Sequence, residues 1–137
     1  MLVCTLGSSF AAMADPYDGL AWVPVPAAIH ALPSLAPGEV TLQTFRQFFR
    51  HSPVPEMRDL VKACGVPAEE WDTDTSRHPD QTIPAHLPMS SSGHLFRYNL
   101  RGAGHVYIWT GESDVPVMRA DYLPVSGPVA PLYLRSL

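Results

Sequence analysis

The sequence predicts an α+β fold, in which a mixed sheet of about five strands packs on one main helix and carries a helical and loop insertion. An amphipathic helix pattern occupies residues 41–51, short apolar runs flank it, and residues 72–93 are rich in turn signals. The chain has 137 residues, of which 46% are apolar and 16% charged. These values predict a single domain, 1–137, with 52–92 as its insertion.

The first two strands are predicted from apolar runs near the N-terminus. The run "MLVCTL" at 1–6 ends at a Gly-Ser-Ser breaker. The run "LAWVPVPAAI" at 20–29 contains Pro24 and Pro26, which lack the N–H that a strand ladder requires. The second strand is therefore expected at an edge of the sheet.

The main helix is predicted in "GEVTLQTFRQFFRH", with Thr41 as its N-cap. Its apolar residues recur at spacings of three and four, which places them on one face: Leu42, Phe45, Phe48 and Phe49. A second helix follows within the insertion, where Met57 to Cys64 carry an apolar face and Gly65 is the expected stop. The next segment, "VPAEEW", is interpreted as one more helical turn, and 72–93 as a long loop.

The C-terminal part predicts three more strands. "HLFRYNL" at 94–100 and "HVYIWT" at 105–110 are joined by "RGAG", a turn of hairpin size. "PLYLRSL" forms a short last strand after a segment punctuated by prolines. The resulting order of elements is typical of a ubiquitin-like β-grasp.

Charge and residue types argue against several classes of function. The net charge is -4 and the nine Lys and Arg are scattered, so we expect no nucleic-acid partner. No apolar run approaches the roughly 20 residues of a membrane span. The six His and two Cys lack the spacings of a metal site, and no glycine-rich phosphate loop is present, so we expect no metal or cofactor.

Cysteine usage favours the cytoplasm, because two cysteines without a C-x-x-C pair indicate reduced thiols. An alternative remains open at the N-terminus. Ala12-Met13-Ala14 follows an apolar run and imitates the cleavage site of a secretory signal. Against it, no Lys or Arg precedes that run, and glycine and serine interrupt it.

An enzymatic alternative rests on "GHVYIW", which resembles the histidine strand of small Cys–His amidases that cleave peptidoglycan. In that interpretation His105 is the general base and Cys4 or Cys64 the nucleophile. Such a thiol is activated at a helix N-terminus, whereas Cys4 lies in a predicted strand and Cys64 near a predicted helix C-terminus. A histidine that merely begins a strand is the simpler interpretation.

Four motifs resemble the DIX domain of Dishevelled, Axin and their relatives. "EVTLQTFRQFF" (39–49) resembles the helix entry of that family at Val40, Thr41, Leu42, Phe45 and Arg46. "HLFRYN", "GHVYIWTGESD" and "DYLPVSGPV" are similar to later strands and turns, in the same order. The insertion 52–92 and Trp109-Thr110-Gly111, in place of an acidic pair, depart from the family pattern.

The resemblance implies a non-enzymatic signalling scaffold that polymerises head to tail and binds other proteins through the clustered copies. In that family the edge of the second strand of one copy pairs with the edge of the fourth strand of the next. Carried over residue by residue, one edge consists of Ala21, Trp22, Val23 and Val25, and the other of Val106, Tyr107, Ile108 and Trp109.

Overall fold

The computed structural model describes Tyr17 and residues 20–35, 38–72, 93–111 and 115–135. Within these ranges, six strands form one sheet in which each strand neighbours the next along the chain. The strands are β1 (Val23–Pro24), β2 (Glu69–Asp72), β3 (His94–Leu100), β4 (Gly104–Thr110), β5 (Val117–Leu123) and β6 (Ala130–Leu134). The helices are α1 (Ala27–His30), α2 (Leu42–Arg50) and α3 (Met57–Cys64).

The expected ubiquitin-like β-grasp on one main helix is wrong. All five strand pairs among the described residues are antiparallel, and three short helices accompany the sheet where one main helix was expected. Residues 52–92 are not an insertion beside the fold, because they supply α3 and also β2, which lies between β1 and β3. The strand expected at 1–6 lies outside the described residues.

Local signals explain α2 and α3. At the start of α2 the Thr41 N–H donates to Oγ1 of Thr44 (3.2 Å), one half of a capping box. Phe45 and Phe49 project from the buried face of α2, as the three- and four-residue spacing predicts. Helix α3 ends at Gly65, whose φ of 88° is in the left-handed region that favours glycine.

The helices cover one face of the sheet and bury the larger part of the core there. Even-numbered positions of β3 and β4 point to this face, because side chains alternate along a strand. The fully buried members are Phe45, Leu60, Val61, Phe96, Val106, Ile108, Val117 and Ala120. The ring of Phe45 meets that of Tyr98 edge-on, with centroids 4.8 Å apart.

The opposite face carries a second, aromatic core. Its buried members are Tyr17, Trp71, Leu95, Tyr107, Trp109 and Leu123. Leu20, Trp22 and Val129 pack against them and are partly exposed. The sheet is therefore covered on both faces, and β4 is buried from Val106 to Thr110.

Gly104 is required where the hairpin of β3 and β4 enters the sheet. Its φ is 95°, and a Cβ at this position would collide with the main-chain carbonyl of Leu123. Only glycine permits this close approach of β4 to the end of β5. The glycine before His105 is thus explained by strand packing.

Candidate functional site

The edge role expected for 105–110 fails, because β4 is an inner strand. It pairs with β3 along its whole length and with β5 from His105 to Thr110. Its four proposed interface residues are buried, with exposed fractions of 0–1%: Val106, Tyr107, Ile108 and Trp109. Neither the main chain nor the side chains of this strand are available to another copy.

The expected edge at 21–25 does lie at an edge of the sheet. Among the described residues its strand, β1, pairs with β2 alone, through Val23 with Glu70 and Pro24 with Glu69. Ala21 is exposed, Trp22 and Val23 are half-buried, and Val25 is buried in the core on the helix side. The use of this edge as an interface stays a prediction.

The opposite edge is β6, which the sequence motifs did not indicate. Within the described ranges β6 pairs with β5 alone. The ring of Tyr133 stacks on Phe49 of α2, with centroids 5.4 Å apart, whereas the side chain of Leu134 is 64% exposed. This strand thus combines an anchored aromatic residue with an apolar side chain that faces solvent.

Cys64 and His105 do not form a catalytic pair. Cys64 is buried in the core on the helix face, and burial raises the pKa of its thiol to about 12. His105 lies on the other face of β4, beside Tyr107 (ring centroids 5.9 Å apart). The sheet itself separates the two side chains, and Cys4 lies outside the described residues.

The His105 ring is held by a neighbouring amide. Its Nδ1 lies 2.8 Å from Oδ1 of Asn99, the residue opposite it on β3. Since an amide oxygen accepts, Nδ1 donates in this contact, and Nε2 takes no part in it. The arrangement orients an imidazole, but Asn99 is exposed and no thiol of the described chain lies on this face.

A buried carboxylate on the aromatic face was not anticipated. Asp121 is fully buried, and its Oδ2 accepts from the hydroxyl of Tyr17 (3.1 Å) and from Nε of Arg119 (2.8 Å). Its Oδ1 is also buried and has no hydrogen-bond partner among the described residues. Burial, reinforced by the negative charge of Asp121, raises the pKa of Tyr17 well above its ordinary value, so the hydroxyl remains a donor.

Aromatic rings complete the surroundings of Asp121. The rings of Tyr17 and Tyr107 lie 4.0 Å apart at 30°, and Tyr107 is opposite Asp121 across the β4–β5 pair. We call Tyr107, Arg119 and Asp121 the Tyr17 pocket. A register shift between β5 and β6 falls between Ala120 and Asp121, and such bulges redirect side chains.

A second buried polar pair lies at the far end of the helix face. Nδ1 of His94 lies 2.8 Å from Oε2 of Glu70, and both side chains are nearly enclosed. The carboxylate of Glu70 can be buried in the sheet because it forms a hydrogen bond with the His94 ring. No group of three or more His, Cys, Asp or Glu gathers as a metal site in the part of the chain that the structure describes.

A cleft of 690 Å³ opens where β3 extends beyond β2. It is lined by polar and apolar groups, among them Glu39, Val40, Tyr98, Asn99 and Arg101. The hydroxyl of Tyr98 donates to the carbonyl of Gly65 at 2.6 Å and so joins the floor of the cleft to the end of α3. The cleft brings no nucleophile to the surface, because Cys64 in its lining is 2% exposed.

The comparisons with known proteins are negative. No family model matches the chain, and neither a curated protein nor a solved structure matches it. The resemblance to the DIX family therefore stays a prediction from short motifs. In the described part of the chain, no helix is long and apolar enough to cross a membrane.

Proposed function

We propose that this chain is a non-catalytic protein-interaction module that associates with further copies head to tail through the two edges of its sheet. The proposal keeps the mode of assembly that the DIX resemblance implies but assigns it to different strands. Here β6 of one copy pairs with β1 of the next. Clustered copies then act as a scaffold that binds other proteins with avidity.

The observation that carries the proposal is that β1 and β6 lie at opposite ends of one six-stranded sheet. Unlike surfaces at opposite ends give a heterologous contact that does not close on itself. Open strand edges offer unpaired N–H and C=O groups to a further strand. Since β1 has only two residues and one is Pro24, each contact is weak and assembly depends on concentration.

A cytoplasmic location belongs to the same proposal. Cys64 is a free thiol, and thiols remain reduced in the cytosol. A module built from weak, reversible contacts also suits a compartment in which its local concentration is regulated. The location is tested by fractionation of cells that express the full chain.

Sedimentation velocity over a range of protein concentrations tests the assembly. We expect the wild type to grow in size with concentration, and Leu134→Lys to remain a monomer, because a charge on an open strand blocks pairing. Val125→Lys is the matched control, since Val125 is 75% exposed and lies in the loop between β5 and β6. If the wild type is monomeric at every concentration, the proposal is contradicted. It is also contradicted if the Leu134→Lys variant assembles to the same extent as the Val125→Lys control.

A second candidate function, hydrolysis of amide bonds with His105 as general base, is favoured by the contact between His105 and Asn99. An imidazole held through Nδ1 presents Nε2 to a nucleophile. Cys64 is excluded from that role by its position, so Cys4 is the nucleophile in this candidate. This candidate function predicts that Cys4 reacts with a thiol-directed electrophile faster than free cysteine does. His105→Ala should lower the reaction rate of Cys4 to that of free cysteine. If wild-type Cys4 reacts no faster than free cysteine, the candidate function is wrong.

A further inference from the structure

The cleft at the end of β3 is a place where the hydrogen-bond ladder of the sheet stops early on one side. Strand β2 pairs with β3 from His94 to Arg97. The Ala68 N–H makes the last main-chain bond on that side, to the Arg97 carbonyl at 2.8 Å. β3 continues to Leu100, and within the described ranges its last residues pair with β4 alone. The cleft occupies the position beside them that β2 leaves open.

Asn99 directs its main-chain N–H and C=O into this open position. Main-chain groups of successive strand residues point to alternate edges of the strand. Arg97 bonds to Ala68 on the open side, and Leu100 bonds to Ala103 in the β3–β4 hairpin. Asn99 therefore faces the same side as Arg97. Among the described residues, no main-chain hydrogen bond reaches Asn99 from this side.

The walls of the cleft are fixed by the fold. If the register of β2 with β3 continued, Pro67 would lie opposite Asn99, and proline has no N–H with which to extend the ladder. The Tyr98 hydroxyl donates to the Gly65 carbonyl at 2.6 Å and ties the two walls together. The Asn99 side chain is held by His105 on the other face of the sheet. The open main-chain groups are thus presented by a rigid strand.

Two exposed side chains of opposite charge line the cleft. Glu39 lies on the segment before α2, and Arg101 directly follows β3. Neither has an ion-pair or hydrogen-bond partner in the part of the chain that the structure describes. The surfaces of Val40, Tyr98 and Leu100 lie in the same lining. A complementary ligand therefore carries a cation for Glu39, an anion for Arg101 and main-chain amides for Asn99.

We propose that this cleft binds an extended peptide segment of a partner protein, and that the segment carries one basic and one acidic side chain. The peptide adds to β3 beyond the end of β2 and exchanges two main-chain hydrogen bonds with Asn99. Its basic side chain pairs with Glu39 and its acidic side chain with Arg101. The cleft volume of 690 Å³ lies within the range of about 300–1,000 Å³ that is usual for ligand sites. This site is separate from the edges at β1 and β6 and does not depend on self-association.

A synthetic peptide tests the mode of binding. The probe is a blocked pentapeptide of three valines with a lysine and a glutamate between them, added to the full chain and followed by NMR. We expect saturable binding, and exchange of the Asn99 amide proton slowed by about tenfold or more at saturation. The same peptide with its three central amides N-methylated should bind about tenfold or more weaker, because it lacks main-chain donors. No saturable binding, unchanged exchange at Asn99, or equal affinity of the N-methylated peptide overturns the proposal.

Charge reversal tests the choice of ligand. Arg101→Glu should bind the lysine–glutamate peptide about threefold to tenfold more weakly and should prefer a peptide with two lysines. Glu39→Lys should instead prefer a peptide with two glutamates. Arg46→Glu is the matched control, since Arg46 is exposed on α2 and does not line the cleft. If both charge reversals in the cleft bind the three peptides as Arg46→Glu does, the proposal is wrong.

Discussion

The hydroxyl of Tyr17 donates a 3.1 Å hydrogen bond to Oδ2 of Asp121, which lies 104 positions later on β5 and is fully buried. We expect Tyr17→Phe to lower the free energy of unfolding by about 1–3 kcal/mol, because a buried, charged acceptor loses a partner that water does not replace. Urea denaturation followed by far-UV circular dichroism measures the change.

Tyr133→Phe is the matched control for that substitution. Tyr133 is half-buried, and its ring stacks on Phe49, a contact that phenylalanine reproduces. We expect its unfolding free energy to stay within about 0.5 kcal/mol of the wild type. Equal losses in the two variants would show that the hydroxyl of Tyr17 contributes no more than an ordinary phenol.

Alkaline pH should weaken the fold through the same residue. Burial and then the charge of Asp121 raise the pKa of Tyr17 above its ordinary value of 10.0. Above about pH 10 the unfolded chain loses this proton while the native protein retains it, so stability falls as pH rises. Urea midpoints between about pH 8 and pH 11 should fall less steeply in Tyr17→Phe than in the wild type.

Tyr98 also contributes to the loss of stability at alkaline pH. Burial also raises its pKa, so Tyr17→Phe retains part of the alkaline decline. If Tyr17→Phe and the wild type lose stability at the same rate above about pH 10, the native hydroxyl of Tyr17 is not protected from titration.

Local sequence patterns were sufficient to predict two helices and one hairpin. The apolar spacing around Phe45 and the Gly65 stop are contained within one or two helical turns, and α2 and α3 follow them. The glycines of "RGAG" likewise mark the turn between β3 and β4. Each of these signals involves residues that are neighbours along the chain.

The sheet order was missed because two strands depend on distant partners. β2 has the sequence Glu-Glu-Trp-Asp, which is unlike a strand until Arg97 pairs with Glu69 (2.6 Å) and His94 with Glu70 (2.8 Å). β5 carries the charged residues Arg119 and Asp121 in its middle, and the Asp121 carboxylate accepts a hydrogen bond from Tyr17, 104 positions away. Without β5, the apolar strand β4 looked like an edge.

The Tyr17 pocket could not be predicted from the sequence for the same reason. Nothing near Tyr17 or Asp121 along the chain indicates that the two side chains meet, since 104 positions separate them. A charged residue within a β-strand pattern, such as Asp121, was the one available signal. Buried charges are rare unless they are paired, so a carboxylate in a strand predicts a distant partner.

Cys64 should be inert in the native protein. Burial raises the pKa of its thiol from 9.0 to about 12, so the thiolate fraction near neutral pH is about a thousandfold below that of a free thiol. We expect no alkylation of Cys64 by iodoacetamide in native protein and rapid alkylation in urea, as measured by mass spectrometry. Rapid labelling without urea would contradict the enclosed position at the end of α3.

The two neighbouring faces of α2 should respond differently to truncation. Phe45 is fully buried against Tyr98, so Phe45→Ala should cost about 3–5 kcal/mol of unfolding free energy. Phe48 is half-buried, and Phe48→Ala should cost about 1 kcal/mol. Thermal unfolding of both variants measures which substitution lowers stability more. A larger loss of stability in Phe48→Ala than in Phe45→Ala would contradict the observed orientation of α2.

Tyr107→Asp distinguishes an inner strand from an interface. Tyr107 is fully buried in β4, between β3 and β5, so an aspartate there places an unpaired charge in the aromatic core beside Asp121. We expect the variant to unfold, since an uncompensated buried charge costs several kcal/mol against the small net stability of a domain. Val125→Asp, which changes an exposed loop residue, should remain folded. If Tyr107→Asp instead keeps the native circular dichroism spectrum and loses only concentration-dependent assembly, β4 is the open edge that the motifs implied, and the sheet order with β4 between β3 and β5 is wrong.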